Sequence, residues 1–93
     1  RGIRKKFMDS RTRAFEPKTL TFDDDGYSCN GEYESRDVNY TYIDRVIETK
    51  TAFYILNKFG MDIVDKNGFA QGDENSFKEL IREKCPSVKK NFK

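Results

Sequence analysis

The sequence predicts an α+β domain. The expected plan is a strongly bent antiparallel sheet, or partly open barrel, of about six to seven strands. A C-terminal amphipathic helix caps it, and a basic helical arm precedes it. Three observations predict this. Short period-two segments from Leu20 to Val64 are separated by turn residues such as Asp25-Gly26, Asn30-Gly31 and Gly60. After Asp73 the apolar period changes to that of a helix. The chain has 93 residues, 35% hydrophobic, which is enough for one modest core and not for two. Several short strands and one helix can bury their apolar faces only against each other.

The elements follow in order. Residues 2–15 read as a helix, because Ile3, Phe7, Ala14 and Phe15 recur near helical spacing and Pro17 ends the run. Leu20 and Phe22 alternate with threonines, which is a strand pattern. Asp24-Asp25-Gly26 turns the chain, and Tyr27 and Cys29 alternate on the next strand. Asn30-Gly31 signals a hairpin, followed by a short strand from Glu32 to Arg36 around Tyr33. Val38 to Thr41 leads into Ile43, Val46 and Ile47. Thr51 to Leu56 is a nearly continuous apolar run, read as a central strand. Lys58-Phe59-Gly60 turns into Met61 to Val64, and Asn67-Gly68 ends that strand. Asp73 is the N-cap of the last helix, with Glu74 in its first turn. Phe77, Leu80, Ile81 and Cys85 share one face, and Pro86 stops the helix. Lys89, Lys90 and Lys93 read as a frayed basic tail. The expected core is Leu20, Phe22, Val46, Phe53, Ile55, Ile63, Phe77, Leu80 and Ile81. The domain boundaries are 1–17 for the arm, 18–86 for the body and 87–93 for the tail.

Charge is placed unevenly. Residues 1–18 hold seven basic groups against Asp9 and Glu16, a net +5. Residues 19–93 hold eleven basic and fourteen acidic groups, a net −3, for the overall +2. The body is mildly acidic and the basicity sits in the arm. The chain opens at Arg1 without Met or a signal-type apolar core, and reads as a fragment of a longer protein.

The residues by themselves declare no activity, but they exclude several. With no histidine, every His-based triad and His-ligated metal site is absent. No phosphate-binding glycine loop occurs, and no carboxylate pair is pinned to a site by spacing. Asp23-Asp24-Asp25 lacks the spaced series a calcium loop needs, and reads as a solvated acidic turn. Cys29 and Cys85 read as two small buried hydrophobes. Tyr33, Tyr40 and Tyr42 lie among Glu32, Glu34, Asp37 and Asp44, whose charge repels nucleic acid phosphates. The expectation is therefore no catalytic residue, no metal, no cofactor and no nucleic acid.

The residues also resemble a known family. Leu20 to Gly26, Tyr42 to Thr49 and Phe53 to Leu56 look like the YcxB-like C-terminal domain, as do Ile63 to Lys66, Phe69 and Phe77 to Arg82. The likeness covers roughly residues 18–85. It implies a PH-like fold in a bacterial protein that usually carries two transmembrane helices before this domain, with no established activity. Tyr42 stands where the family often has Trp, and Asp65 where it often has Pro. On this resemblance Arg1, Arg4, Lys5 and Lys6 become juxtamembrane cations at an anionic membrane surface on the cytoplasmic face. Tyr42 and Lys66 become candidate ligand or partner contacts. The implied role is a non-catalytic interaction domain binding a protein or peptide, with weak self-association left open. The alternative is a small-ligand or enzyme-accessory domain with a site between sheet and helix.

Overall fold

Residues 8–12, 18–32 and 34–92 are described by the computed structural model. Among these residues nine strands, one α-helix and one 3₁₀ turn follow in the order β1 (Met8–Thr12), β2 (Lys18–Phe22), β3 (Gly26–Gly31), β4 (Ser35–Asn39), the 3₁₀ turn (Tyr40–Tyr42), β5 (Ile43–Glu48), β6 (Ala52–Asn57), β7 (Gly60–Asp65), β8 (Phe69–Gln71), α1 (Glu74–Lys84) and β9 (Lys89–Asn91). They form two sheets, β4-β3-β2-β1-β8 and β7-β6-β5-β9, and the described strands do not close into a barrel. All pairs are antiparallel except β5 with β9.

The core sits between the sheets and under α1. Phe77 is its centre. Its ring lies 4.6 Å from Phe53, 5.5 Å from Phe22 and 6.5 Å from Phe69. Aromatic pairs at these distances add to simple area burial. The helix starts where expected: Asp73 accepts the Ser76 N–H at 2.8 Å, and Phe77, Leu80 and Ile81 are buried. Eight of the nine expected core residues are buried.

Where the basic N-terminal arm falls among the described residues, it is not helical. Met8–Thr12 is a strand, paired from Met8↔Phe22 to Thr12↔Lys18 on one side and with β8 on the other. Met8 and Ser10 are buried. The helical spacing of Ile3, Phe7, Ala14 and Phe15 leaves Met8 out, whereas a strand turns Met8 and Ser10 to the same inner side. Tertiary pairing overrides the local pattern. Arg1, Arg4, Lys5 and Lys6, the juxtamembrane cations of the resemblance, lie outside the described residues, as do residues 13–17.

Other elements shift as well. The strand expected at Glu32 to Arg36 runs over Ser35–Asn39, with Tyr33 outside the described residues. The tail expected to fray contains β9, which runs parallel to β5. β8 carries no sequence signal, being three residues held by β1. It is fixed by a close approach: Arg11 donates to the Gly68 carbonyl at 2.8 Å, and a Cβ at Gly68 would run into the Arg11 carbonyl. Ile63 is half-buried, not core. In β7 the inward residues are Asp62 and Val64.

Candidate functional site

The inversion in β7 sends a carboxylate into the interior. Asp62, near the start of β7, meets Tyr27 of β3, Asn57 at the end of β6 and Arg36 of β4. Tyr27 donates its hydroxyl proton to Asp62 Oδ2 at 2.7 Å. Asn57 Nδ2 donates to the Tyr27 oxygen at 2.8 Å and to Asp62 Oδ2 at 3.1 Å. Arg36 closes the group with 3.1 and 3.3 Å contacts to the two carboxylate oxygens. Burial, reinforced by the Asp62 hydrogen bond, holds the Tyr27 phenol far above its usual range. A buried carboxylate survives only when paired and hydrogen-bonded, and Asp62 is both. The arrangement ties the two sheets together and offers no free acid or base.

A second ionic group lies at the opposite end of the second sheet. Lys66 contacts Glu48 Oε2 at 2.7 Å and Glu74 at 3.4 Å, and Lys78 contacts Glu48 Oε1 at 3.0 Å. The Glu48 hydrogen bond raises the Lys66 pKa. A catalytic lysine needs the opposite shift. Lys66 is thus a cation clamped between β5 and the first turn of α1. It lines a groove of about 420 Å³ with Phe69, Gly72, Asp73, Glu74 and Asn75.

Tyr42 stands apart from Lys66. The register Ile43↔Asn57↔Gly60 puts Tyr42 at the β6–β7 hairpin end, while Glu48↔Phe53↔Val64 puts Lys66 at the other. Tyr42 packs edge-on against Phe59, with ring centroids 5.8 Å apart, and Lys58 Nζ lies 4.1 Å above the Tyr42 ring. Among the described residues, Tyr42, Phe59 and Met61 are the exposed large hydrophobics, at 37%, 47% and 53%. The two candidate contact residues therefore cannot serve one small site.

A larger groove, about 510 Å³, opens between the 3₁₀ turn, the start of β5 and the C-terminal end of α1. Its apolar lining is Ile43, Cys85, Pro86 and Val88, with Tyr40 at its base and Asp44 and Lys84 of opposite charge beside it. The buried Tyr40 hydroxyl donates to the Asp23 carbonyl at 2.6 Å. Burial raises the pKa of Tyr40 and pushes the Cys85 thiol up to about 11. Cys85 and Cys29 are both buried free thiols, as two small hydrophobes would be. The sequence does not mark this groove, because its walls come from two segments far apart in the chain, Tyr40, Thr41, Ile43 and Asp44 in one and Lys84 to Val88 in the other. Among the described residues no group of three or more acidic or cysteine side chains could hold a metal ion.

Fold and groups together define a class: a small two-sheet domain closed by a C-terminal helix, whose interior ionisable groups are engaged in holding the sheets. The model of the family described as YcxB-like protein matches residues 22–81, well over half of the chain, and the chain belongs to that family. No curated protein and no solved structure matches it. No helix among the described residues is long and apolar enough to cross a membrane.

Proposed function

We propose that the chain is a non-catalytic, PH-like interaction domain of a membrane-anchored bacterial protein, facing the cytoplasm, and that it takes a peptide segment of a protein partner. The observation that carries this reading is the groove between the 3₁₀ turn, β5 and the end of α1. Its apolar lining suits side chains of an extended segment, and the flanking Asp44 and Lys84 suit its polar backbone and charges. The PH-like part rests on antiparallel sheets followed by a C-terminal helix. The non-catalytic part draws support from Asp62, Glu48 and Lys66, whose charges are spent on each other's partners. A second reading, a small ligand in the same groove, is favoured by its size, which falls within the range of small-molecule sites, roughly 300–1,000 Å³.

Photo-crosslinkers placed at Thr41 and at Ser87 test both. In bacterial membranes the expected result is one crosslinked protein common to the two positions and absent when the crosslinker replaces Asn30. Native mass spectrometry of the purified domain decides the second reading. A bound small molecule, lost on Val88→Arg, would replace the protein partner with a ligand.

A further inference from the structure

The outer face of the second sheet is built unlike a solvated one. Cross-strand partners share a face. On the inner side Val46, Phe53, Ile55 and Val64 meet the core. On the outer side the register sets Ile47 beside Tyr54 and Tyr54 beside Ile63, and in the next row Arg45 beside Leu56 and Leu56 beside Met61. Ile47, Tyr54, Leu56 and Ile63 are half-buried and Met61 is exposed. β9 extends these rows with Lys89 beside Arg45 and Asn91 beside Ile47. The exposed Tyr42–Phe59 pair and Lys58 continue the face at the hairpin end. An antiparallel sheet with one solvated face normally alternates apolar-in with polar-out. Here both sides are apolar.

Among the described residues some cations are matched by carboxylates and others, including those on this face and Arg11, Lys50, Arg82 and Lys90 elsewhere, are not. Lys18, Arg36, Lys66, Lys78 and Lys84 each lie within 4 Å of a carboxylate. Arg45, Lys58 and Lys89 form no ion pair among the described residues. Asp65, at the far edge, turns its carboxylate into the next turn and accepts the Asn67 N–H at 2.9 Å. So unpaired positive charge lies on apolar surface, on a body whose net charge is −3 over residues 19–93.

We propose that this face, Arg45, Leu56, Lys58, Phe59, Met61 and Lys89, rests on an anionic phospholipid bilayer. Charge complementarity selects the occupant. A second copy laid face to face would oppose three cations with three cations. An anionic headgroup layer neutralises them, while Phe59 and Met61 enter the acyl boundary and long cationic stems run along it. The contact is separate from the peptide groove, and does not depend on it.

The test uses the intact chain. It contains no tryptophan, so Phe59→Trp introduces a single reporter. With vesicles of mixed phosphatidylserine and phosphatidylcholine at low salt, emission from position 59 should shift to the blue and be quenched by brominated acyl chains. Emission from a Glu32→Trp reporter, on the β3–β4 turn, should do neither. Neutralising Arg45, Lys58 and Lys89 to Gln should lower the partition coefficient roughly a hundredfold, three charges at the usual increment, with the unfolding midpoint held. Reversing Arg4, Lys5 and Lys6 should leave the position-59 shift in place. The proposal is overturned if position 59 reports no lipid. It is equally overturned if only the N-terminal reversal abolishes binding, or if the face binds soluble polyglutamate and ignores vesicles. None of these outcomes touches the groove crosslinks.

Discussion

Asp62 shows what one inward residue decides. Its carboxylate receives Tyr27, Asn57 and Arg36 at once. Asp62→Ala strands a guanidinium, a phenol and an amide. Removing one partner of a buried pair costs roughly 3–5 kcal/mol. The value here should fall at the low end, because the Arg36 side chain keeps 28% exposure and recovers water. Tyr27→Phe removes only the hydroxyl and should cost about 1–3 kcal/mol. Urea midpoints check both, and an Asp62→Ala midpoint equal to wild type would remove the group's structural role. Alkali provides a second measurement. Cys29, Cys85, Tyr27 and Tyr40 all hold their protons more tightly in the folded chain, mainly through burial. A raised folded pKa contributes stability that is whole below the unfolded value and is lost as pH rises through the folded one. Loss should therefore begin near 9.0, the unperturbed cysteine value, with the Cys85 share fading up to about 11, and steepen above 10.0 as the tyrosines join. Tyr27→Phe should flatten the upper part of that fall in a pH series of melting temperatures.

At the scale of elements, parity decides what is core. Met8 is buried and Ile63 is half-buried, the reverse of the sequence expectation. Met8→Ala should cost about 2–5 kcal/mol, as for other buried large-to-small changes, and Ile63→Ala clearly less. Equal midpoints for the two variants would contradict the β1 and β7 registers. The contrast also measures how far the sequence was legible. The last helix was readable in full because cap, period and stop agree at Asp73, Phe77 to Cys85 and Pro86. β2, β3, β5 and β6 are legible because most of their inward positions are apolar, with Glu48 and Asn57 as polar exceptions. β7 is legible as a strand but not in its parity, because an apolar residue stands on each side and the inner one alternates with Asp62, so hydrophobicity favours the wrong face. β1 is hidden by an apolar spacing that mimics a helix, and β9 by a pairing supplied from the distant β5. Of the site, Tyr42 was singled out and is exposed. Its contact with Phe59, the exposure of Met61 and the groove itself depend on register and on chain segments that no local pattern joins.

At the scale of the whole molecule, the folded body is larger than its recognisable part. The family match covers residues 22–81. The structure places β1 and nearly all of β2 before it, and β9 after it. Three buried members of the single core lie outside it as well: Met8, Leu20 and Cys85. Strand β1 is interior to its sheet, between β2 and β8, so its removal exposes two ladders of backbone donors and acceptors. A domain of this length holds only about 5–15 kcal/mol in total. Losing Met8 and Leu20 alone removes an amount of similar size, at about 2–5 kcal/mol each before any strand pairing is counted. A chain trimmed to residues 22–81 should therefore fail to fold, and one running from 8 to 92 should fold with a single cooperative transition. Amide proton dispersion in a two-dimensional NMR spectrum separates the cases. A dispersed spectrum from the trimmed chain would mean that the second sheet and α1 form a core without the first, against the packing of Phe77 on Phe22 from one sheet and Phe53 from the other.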